Sequence, residues 1–398
     1  MIDWSPLLPH WNRRPYCLPG VAHRLTPERA FDLIVSAAAP FRAGTRFMAL
    51  PDVRFYLDGG LMRAPGDLLP GDEDRDAPAY VRRVRERLHG ARFQLRVSQP
   101  LFLDERLWSA TRDLLAGLFA AIGCPALPVE AALWVGDAQP RTLGARLDPR
   151  HACLRLPLLG ASEARLWRGR PHPERAPDQV LRAQPGELLC WPGRRWYEEA
   201  DDGATLGLAL AIPTHAADAM IAAKNLLAEQ VDDALGADER VAMLAFPPRA
   251  GRHGIAALAP LTRVGEAATA AVTGGGLERA LRLTWAARAS AWALEPVPAP
   301  REESKLHGDD CVQLNPRSPL LRLRDGDGWV WAINGHVFAM PEHPRAQQLL
   351  DDLRDGRMQR VAELCRSPRR GRVDRGALDL LQRLYALRAV LRSGEDAA

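Results

Sequence analysis

A short polar and aromatic segment stands between two apolar runs in residues 184–213. Residues 188–191 and 205–212 each have the length and the composition of a β-strand. A proline-glycine pair after the first run predicts a sharp turn, which would lift residues 194–199 to the edge of whatever the strands build. Apolar strands with a polar and aromatic rim are typical of the mouth of a small β-barrel, where ligands commonly bind. We therefore expect this stretch to position the functional site.

The cysteines and the overall composition argue against several classes of protein. Six cysteines are scattered along 398 residues without a CxxC pair or a Cys-His cluster, so neither a zinc site nor a disulfide framework is predicted. The net charge of +4 is small for this length and does not by itself indicate nucleic-acid binding. The N-terminus lacks the pattern of a signal peptide, and no apolar run approaches membrane-spanning length. We expect a cytoplasmic protein of two or three domains.

Helices and strands are predicted in distinct parts of the chain. Thr26 can cap a helix that has Pro27 at its first position. Residues 104–122 form the clearest amphipathic helix, because leucines fall on one face and Gly123 ends it. Strands are predicted to dominate from 129 to 212. Helices return after these strands, at 217–234, 237–246 and 277–292.

The pattern changes after residues 296–300, whose PVPAP sequence is the best candidate for a linker. Short strands are predicted at 312–314, 320–323, 329–333 and 337–340. Asn334 and Gly335 stand where a tight hairpin turn belongs. Three helices are predicted next, at 344–354, from about residue 359, and at 374–391. A hairpin with three helices is typical of a winged-helix module.

Four segments carry a family resemblance, and they are HWNRRPYCLPG, TLGARLDPRHACLRLPLLGASEARLW, PGELLCWPGRRWYEEA and WVWAINGHVFAMPEHPRAQQLLDDLRDG. They resemble segments of the JmjC-type cupin oxygenases of the bacterial ribosomal-oxygenase kind. In order, the counterparts are the family's opening, its first metal-bearing strand, the proline-glycine turn before its last metal ligand, and its winged helix. The likeness spans nearly the whole chain, and its motifs are loose.

The resemblance implies an α+β protein in three parts. These are a double-stranded β-helix at residues 1–215, a helical dimerisation region with a linker at 216–300, and a winged helix at 301–398. The resemblance also implies hydroxylation of a protein side chain with Fe(II), 2-oxoglutarate and oxygen. Iron in such sites is held by two histidines and one carboxylate, which leaves open positions for oxygen and cosubstrate.

The residues at the implied metal site depart from the family's pattern. The first two ligands belong to a His-x-carboxylate pair on a strand, and Arg146 and Asp148 stand at those positions. A guanidinium does not deprotonate at neutral pH, so Arg146 cannot donate a lone pair to iron. The second histidine is replaced by Tyr197, which follows Trp196 after the turn. Neither of the two lysines lies in the predicted barrel, so the family's cosubstrate-binding lysine has no counterpart.

The leading hypothesis is a catalytically degenerate JmjC-like protein with no metal and no cofactor. It would recognise a protein or peptide partner through the barrel mouth and the winged helix. Two arrangements of the site stay open. Arg146 and Asp148 could form an internal ion pair that fills the vacated metal position. Alternatively they form a metal-free pocket, in which Arg146 offers a fork to an anionic group and Tyr197 a hydroxyl.

Three further residues complete the predicted site. Arg155 or Arg165 could bind a carboxylate in place of the missing lysine, although surface pairing is the commoner fate of such arginines. Trp196 could line a peptide groove. The helical region suggests a homodimer by resemblance.

Two rival functions stay open. The first is an active Fe(II)- and 2-oxoglutarate-dependent hydroxylase with a reshaped site, whose ligands would be Asp148, His151 and Tyr197. The second is a nucleic-acid-binding winged-helix protein, suggested by a run of arginines at 366, 369, 370, 372 and 375. No aromatic residue is interleaved in that run, so a solvated loop is favoured over a nucleic-acid site.

Overall fold

A ten-stranded antiparallel sheet dominates the first half of the chain in the computed structural model. Its strands are β1 Tyr16–Leu18, β2 Asp52–Leu57, β3 Gly60–Met62, β4 Phe93–Ser98, β5 Glu130–Gly136, β6 Arg146–Leu147, β7 His151–Trp167, β8 Gln179–Ala183, β9 Leu188–Trp191 and β10 Trp196–Pro213. Their order is β1-β9-β7-β10-β5-β4-β2-β3, with β6 paired to β10 and β8 paired to β7. The structure describes all residues except 1, 46–49, 59, 139–142, 173, 237–249, 252–253, 256–258, 304, 327, 341–343, 367–372 and 396–398.

Three helices, α1 Pro27–Arg42, α2 Ala77–Arg87 and α3 Glu105–Ile122, supply the apolar side chains that cover one face of this sheet. Each helix begins at a side chain that accepts a backbone N–H. The caps are Thr26, Asp76 and Asp104. Leucines of α3 and phenylalanine and isoleucine of α1 join one core with the outward residues of β5, β7 and β10. The capped helix at Thr26 and the amphipathic helix at 104–122 are therefore confirmed.

Strands β7 and β10 bend, so that the sheet folds over onto itself. The bend in β7 is at Gly160, whose φ of +70° is one that side chains rarely adopt. A Cβ there would also meet the Ala204 carbonyl oxygen at 2.5 Å. In β10 the register with β7 shifts between Asp202 and Leu206. Side chains of the first half of β7 therefore meet those of the second half, as Arg155 and Ser162 do, and we call the space between the two halves the barrel interior.

The start of β10 differs from the sequence-based prediction. Residues 194–199 were expected on a rim, with the second strand entered at 202–203. Instead, β10 begins at Trp196 and continues through the Asp202-Gly203 pair as a bulge. The pairing of residues 196–202 with β7 and β6 holds this segment extended, and local turn propensity did not reveal that pairing.

The remaining elements lie in the second half of the chain. Its helices are α4 Asp218–Leu235, α5 Ala259–Thr273, α6 Gly276–Ser290, α7 Pro344–Arg354, α8 Val361–Leu364 and α9 Arg375–Ala386. Its strands are β11 Ala250–Gly251, β12 Gly254–Ile255, β13 Cys311–Leu314, β14 Leu320–Asp325, β15 Gly328–Ile333, β16 His336–Met340, β17 Gln359–Arg360 and β18 Val390–Arg392. The chain also contains three 3-10 helices, Leu8–His10, Gly66–Leu68 and Leu101–Leu103.

These elements agree with most of the predicted pattern. Strands β14, β15 and β16 form one three-stranded sheet, and β17, β13 and β18 form another. Asn334 and Gly335 make the β15–β16 turn with φ of +48° and +84°. The predicted last helix was too long, because it ends at Ala386 and residues 390–392 form β18 against β13. The helix expected at 237–246 lies outside the described residues.

The described part of the chain is a mixed α and β protein with a large antiparallel sheet. None of its helices combines the length and the apolar character needed to cross a bilayer.

Candidate functional site

A buried ion-pair network built on Arg155 fills part of the barrel interior. The Arg155 side chain is 1% exposed, with Nη1 at 2.8 Å from Glu199 Oε2 and Nη2 at 2.8 Å from Asp201 Oδ1. Its Nε donates to Ser162 Oγ at 2.6 Å, and its Cζ stands 3.7 Å from the centre of the Trp134 ring. Buried charges are tolerated when they are paired and hydrogen-bonded in this way. The network is therefore a rigid, charged lining.

Strand alternation brings these side chains together. Arg155 lies between Leu154 and Leu156, both of which belong to the helix-covered core on the opposite face. Gly207 lies directly opposite Trp134, and a Cβ there would meet the indole ring at 2.2 Å, so only glycine leaves room for it. The small residue on β10 thus permits the aromatic wall against which Arg155 stacks.

Arg146 joins the network from the short strand β6. It lies directly opposite Tyr197, with its Cζ 5.0 Å from the ring centre. Its Nη2 is 2.9 Å from Glu199 Oε2, so Glu199 stands between Arg146 and Arg155. Burial would lower the pKa of Arg146, but the combined effect of Glu199, Tyr197, Tyr56 and Cys153 outweighs burial and the pKa is raised. The guanidinium is therefore permanently charged.

The pKa values of the two carboxylates in the network are shifted in opposite directions. Burial would raise the pKa of Glu199, but the positive charges of Arg146, Arg155 and Arg96 outweigh it and lower that pKa to about 2. Burial raises the pKa of Asp201, and Arg155 only partly opposes this. Glu199 is thus firmly ionised, and its charge is shared between two guanidiniums.

Asp148 and His151 form a separate pair. His151 Nδ1 is 2.8 Å from Asp148 Oδ1, and this bond raises the pKa of His151 against the effect of burial. The internal ion pair suggested between Arg146 and Asp148 is wrong, because Arg146 pairs with Glu199. Gly193 of the proline-glycine turn packs against this pair, and a Cβ there would lie 1.9 Å from both carbonyl oxygens, of Asp148 and of His151. The turn therefore braces the Asp148–His151 segment.

Comparisons with known proteins identify the fold. No protein-family model and no curated protein sequence matches the chain. The X-ray structure of Escherichia coli YcfD aligns over 99% of both chains, with a TM-score of 0.52 and 13% sequence identity. A structure described as the Escherichia coli ribosomal oxygenase YcfD aligns over 99% of both chains, with a TM-score of 0.51 and 14% sequence identity. The chain has the fold of a bacterial ribosomal oxygenase. A complex of YcfD with cobalt and 2-oxoglutarate aligns over 99% of both chains, with a TM-score of 0.51 and 15% sequence identity.

The resemblance noted in the sequence is therefore confirmed at the level of the ribosomal-oxygenase fold. Sequence identities this low support a shared fold alone. The chemistry of the site must be inferred from its side chains.

The side chains present do not fit the iron site that the fold implies. At two of the three implied ligand positions stand Arg146, a permanent cation, and Tyr197, whose pKa burial raises further above its usual value. The third, Asp148, accepts a hydrogen bond from, or shares a proton with, His151. Among the residues that the structure describes, no group of three His, Cys, Asp or Glu side chains is placed to hold a metal ion. A fixed positive charge beside the site opposes a divalent cation.

The other predicted site residues lie outside the network, apart from Arg155. Arg165 Nε is 2.6 Å from Glu163 Oε1, and its side chain is 37% exposed, so it pairs at the surface. Trp196 precedes Tyr197 on β10 and therefore points to the opposite side of the strand. Of the arginines proposed to replace the missing lysine, the structure brings only Arg155 into the interior.

Glu199, Asp201, Ser162, Trp134 and Arg96 were missed in the sequence. Three of the inward residues, Tyr197, Glu199 and Asp201, follow each other at i, i+2 and i+4 on β10. That spacing would have placed them on one face if the strand had been started at residue 196. The others could not be recognised as one set, because they meet only through the bend in β7 and the pairing of β4, β5, β7 and β10.

Proposed function

We propose that this chain uses the ribosomal-oxygenase fold without iron chemistry and recognises a protein or peptide partner at the mouth of its barrel. The observation that carries the proposal is the contact of Arg146 with Glu199, at 2.9 Å, opposite Tyr197. A permanently charged guanidinium stands where the resemblance implies a histidine ligand. Removing it from Glu199 to admit a metal would leave buried charges unpaired, which is strongly unfavourable.

The network also supports a binding role because it is rigid. Glu199 is held by two guanidiniums, and Arg155 is fixed by three polar partners and an aromatic face. Preorganised charges of this kind lower the entropy lost when a ligand binds. The solved YcfD structures are described as those of a ribosomal oxygenase, and we extend from them only that a protein partner in the cytoplasm suits this fold.

Metal content and cosubstrate turnover test the proposal. The protein is purified, incubated anaerobically with Fe(II) and 2-oxoglutarate, desalted, and analysed for iron by mass spectrometry. Succinate formation is then followed in air. We expect no stoichiometric iron and no succinate above a protein-free control. One equivalent of iron that disappears in Asp148→Ala, together with succinate formation, would contradict the proposal.

That contrary result would favour the second candidate, an active Fe(II)- and 2-oxoglutarate-dependent hydroxylase. The observation in its favour is that a structure of YcfD is described in complex with cobalt and 2-oxoglutarate. Its ligands in this chain would be Asp148, His151 and Tyr197, and the Asp148–His151 pair would have to open.

We also propose a barrel domain at residues 1–215, a helical region at 216–300 and a winged helix at 301–398. In this proposal the helical region forms the interface of a homodimer. Helix α4 buries one of its 18 residues, Asp218, within the described chain. Large apolar side chains of this region are exposed, among them Met220 at 66%, Val272 at 55% and Trp285 at 49%. Light scattering should report twice the monomer mass, and Met220→Asp should shift it toward the monomer.

The third candidate function is nucleic-acid binding, and we propose that this protein does not bind nucleic acid. The arginines at 369, 370 and 372 lie outside the described residues, and Arg375 opens α9. A basic groove would give duplex binding that falls steeply with salt concentration. Binding that is flat or undetectable across a salt series supports the proposal, and a steep decline contradicts it.

A further inference from the structure

The barrel interior has more positive than negative charge. Arg96, Arg146 and Arg155 supply three guanidiniums, and Glu199 and Asp201 supply two carboxylates, which leaves a surplus of one positive charge if both acids are ionised. Arg96 lies on β4 directly opposite Trp134, and therefore on the same inward face. Within the described part of the chain, the Arg96 side chain makes no hydrogen bond and no ion pair.

Buried donors without acceptors surround the same space. Among the described residues, the donors Arg146 Nε, Trp134 Nε1 and Trp191 Nε1 have no hydrogen-bond partner, and the acceptor Gln94 Oε1 has none either. Arg146 Nη2 and Glu199 Oε2 meet as an ion pair without hydrogen-bond geometry. Both tryptophans are 1% exposed, and Trp191 packs on Tyr197 with ring centres 5.2 Å apart. Buried polar groups are nearly always paired, and leaving one unpaired is unfavourable by about 1–3 kcal/mol. A ligand with acceptor oxygens would satisfy these donors and the guanidinium of Arg96.

We infer that the barrel interior binds a carboxylate of the partner polypeptide, either an acidic side chain or a free C-terminus, with Arg96 and Arg146 as its counter-ions. The inference rests on the proposed function, since a bound metal would occupy the same space. Two guanidiniums recognise a planar carboxylate well, because each presents a fork of parallel N–H donors.

The rim favours a single anionic group over a polyanion. Arg54, the strand neighbour of Arg96, is held by Asp52 at 2.6 Å. His151 is held by Asp148, and the exposed carboxylate of Glu130 lies 4.0 Å from its Nε2. These two cations are therefore already paired with carboxylates. A nucleic acid would need a continuous basic track, whereas a polypeptide needs only one carboxylate to reach the interior.

Affinity selection with random peptides tests the inference without a known partner. The immobilised full-length protein is offered random dodecapeptides with blocked ends, a matched pool with free C-termini, and an RNA oligonucleotide. Peptides are read by mass spectrometry. We expect retained peptides to carry Asp or Glu in the blocked pool if the source is a side chain. Enrichment confined to the free-ended pool would assign the source to the C-terminus.

Variants of two neighbouring arginines sharpen the test. Arg96→Gln removes an unpaired charge and should weaken binding of a selected peptide by about 10-fold to 100-fold, the usual value of a charge-assisted contact. Arg96→Lys should restore part of the affinity. Arg54→Gln, on the same face but already paired, should stay within about 2-fold. Equal melting temperatures confirm that the variants fold.

Three results would overturn the inference. They are retained peptides without a carboxylate preference, binding unchanged in Arg96→Gln, and preferential retention of the RNA. The same preparations are analysed for iron, so the two failures are distinguishable. Metal-free protein without carboxylate preference overturns this inference alone, whereas stoichiometric iron overturns the proposed function.

Discussion

The two faces of strands β5, β7 and β10 differ completely in chemistry. The outer face presents Leu133, Leu156 and Leu208 to a core shared with α1, α2 and α3. The inner face of the same strands presents Trp134, Arg155 and Glu199, linked by ion pairs and a stacked guanidinium. Adjacent residues on one strand therefore lie in the apolar core or in the charged network, and the bend at Gly160 reverses the alternation along β7.

This difference explains how the fold can match that of YcfD at 13% identity while the side chains at the implied metal site depart from the family's pattern. The outer face is stabilised by burial, which is non-directional and tolerates substitution among apolar residues of similar volume. The inner face depends on a few directional contacts, so each change there requires a matching change in its partner. The guanidinium of Arg146 is tolerated in the interior because Glu199 balances its charge.

The largest expected effect is on the inner face. Arg155→Ala leaves the buried carboxylates of Glu199 and Asp201 without their shared counter-ion, and should lower the free energy of unfolding by about 3–5 kcal/mol. Urea denaturation at neutral pH measures it. Arg165→Ala, on the same strand but exposed, should change stability by less than about 1 kcal/mol. Equal losses in the two variants would show that the network does not stabilise the fold.

The second effect is a pH dependence confined to the inner face. The pKa of Glu199 falls from 4.5 to about 2 on folding, so its charge stabilises the protein above pH 4.5 and this stability is lost as the pH falls toward 2. Glu199→Gln should therefore be less stable than wild type by up to about 3 kcal/mol at pH 7. The difference should shrink between pH 5 and pH 2. Urea denaturation across this range measures it, and a constant difference would contradict the ion-pair account.

The smallest effect is on the outer face. Ile212 is 1% exposed in the helix-covered core, and Ile212→Val should lower the free energy of unfolding by about 1 kcal/mol. Because no charge is involved, the loss should be the same at pH 7 and pH 3. A loss that varies with pH would mean that the two faces are coupled.

The outer face could be predicted from the sequence far better than the inner one. The leucines of helix 104–122 repeat with helical period, and Thr26 carries a local capping signal, so each element is encoded within a short window. The inner network joins residues from strands far apart in sequence. One of the two arrangements predicted for Arg146 pairs it with the neighbouring Asp148, whereas its partner is Glu199 on β10. No local pattern contains that information, because it depends on β6 pairing with β10.

The predicted direction of the Trp196 side chain depends on where β10 begins. Trp196 is predicted to lie on the turn, whereas β10 begins at residue 196 and directs its side chain away from that of Tyr197. Arg155 was one of two candidates for an anion contact, and only three-dimensional pairing distinguishes it from Arg165.

A cobalt titration tests most directly whether the guanidinium of Arg146 has replaced the metal. The protein is titrated anaerobically with Co(II) in the presence of 2-oxoglutarate, and the visible absorption of bound cobalt is followed, with Asp148→Ala as the matched control. The account predicts no saturable absorption in wild type and no difference from Asp148→Ala. A saturable band at one equivalent of Co(II), abolished by Asp148→Ala, would contradict it.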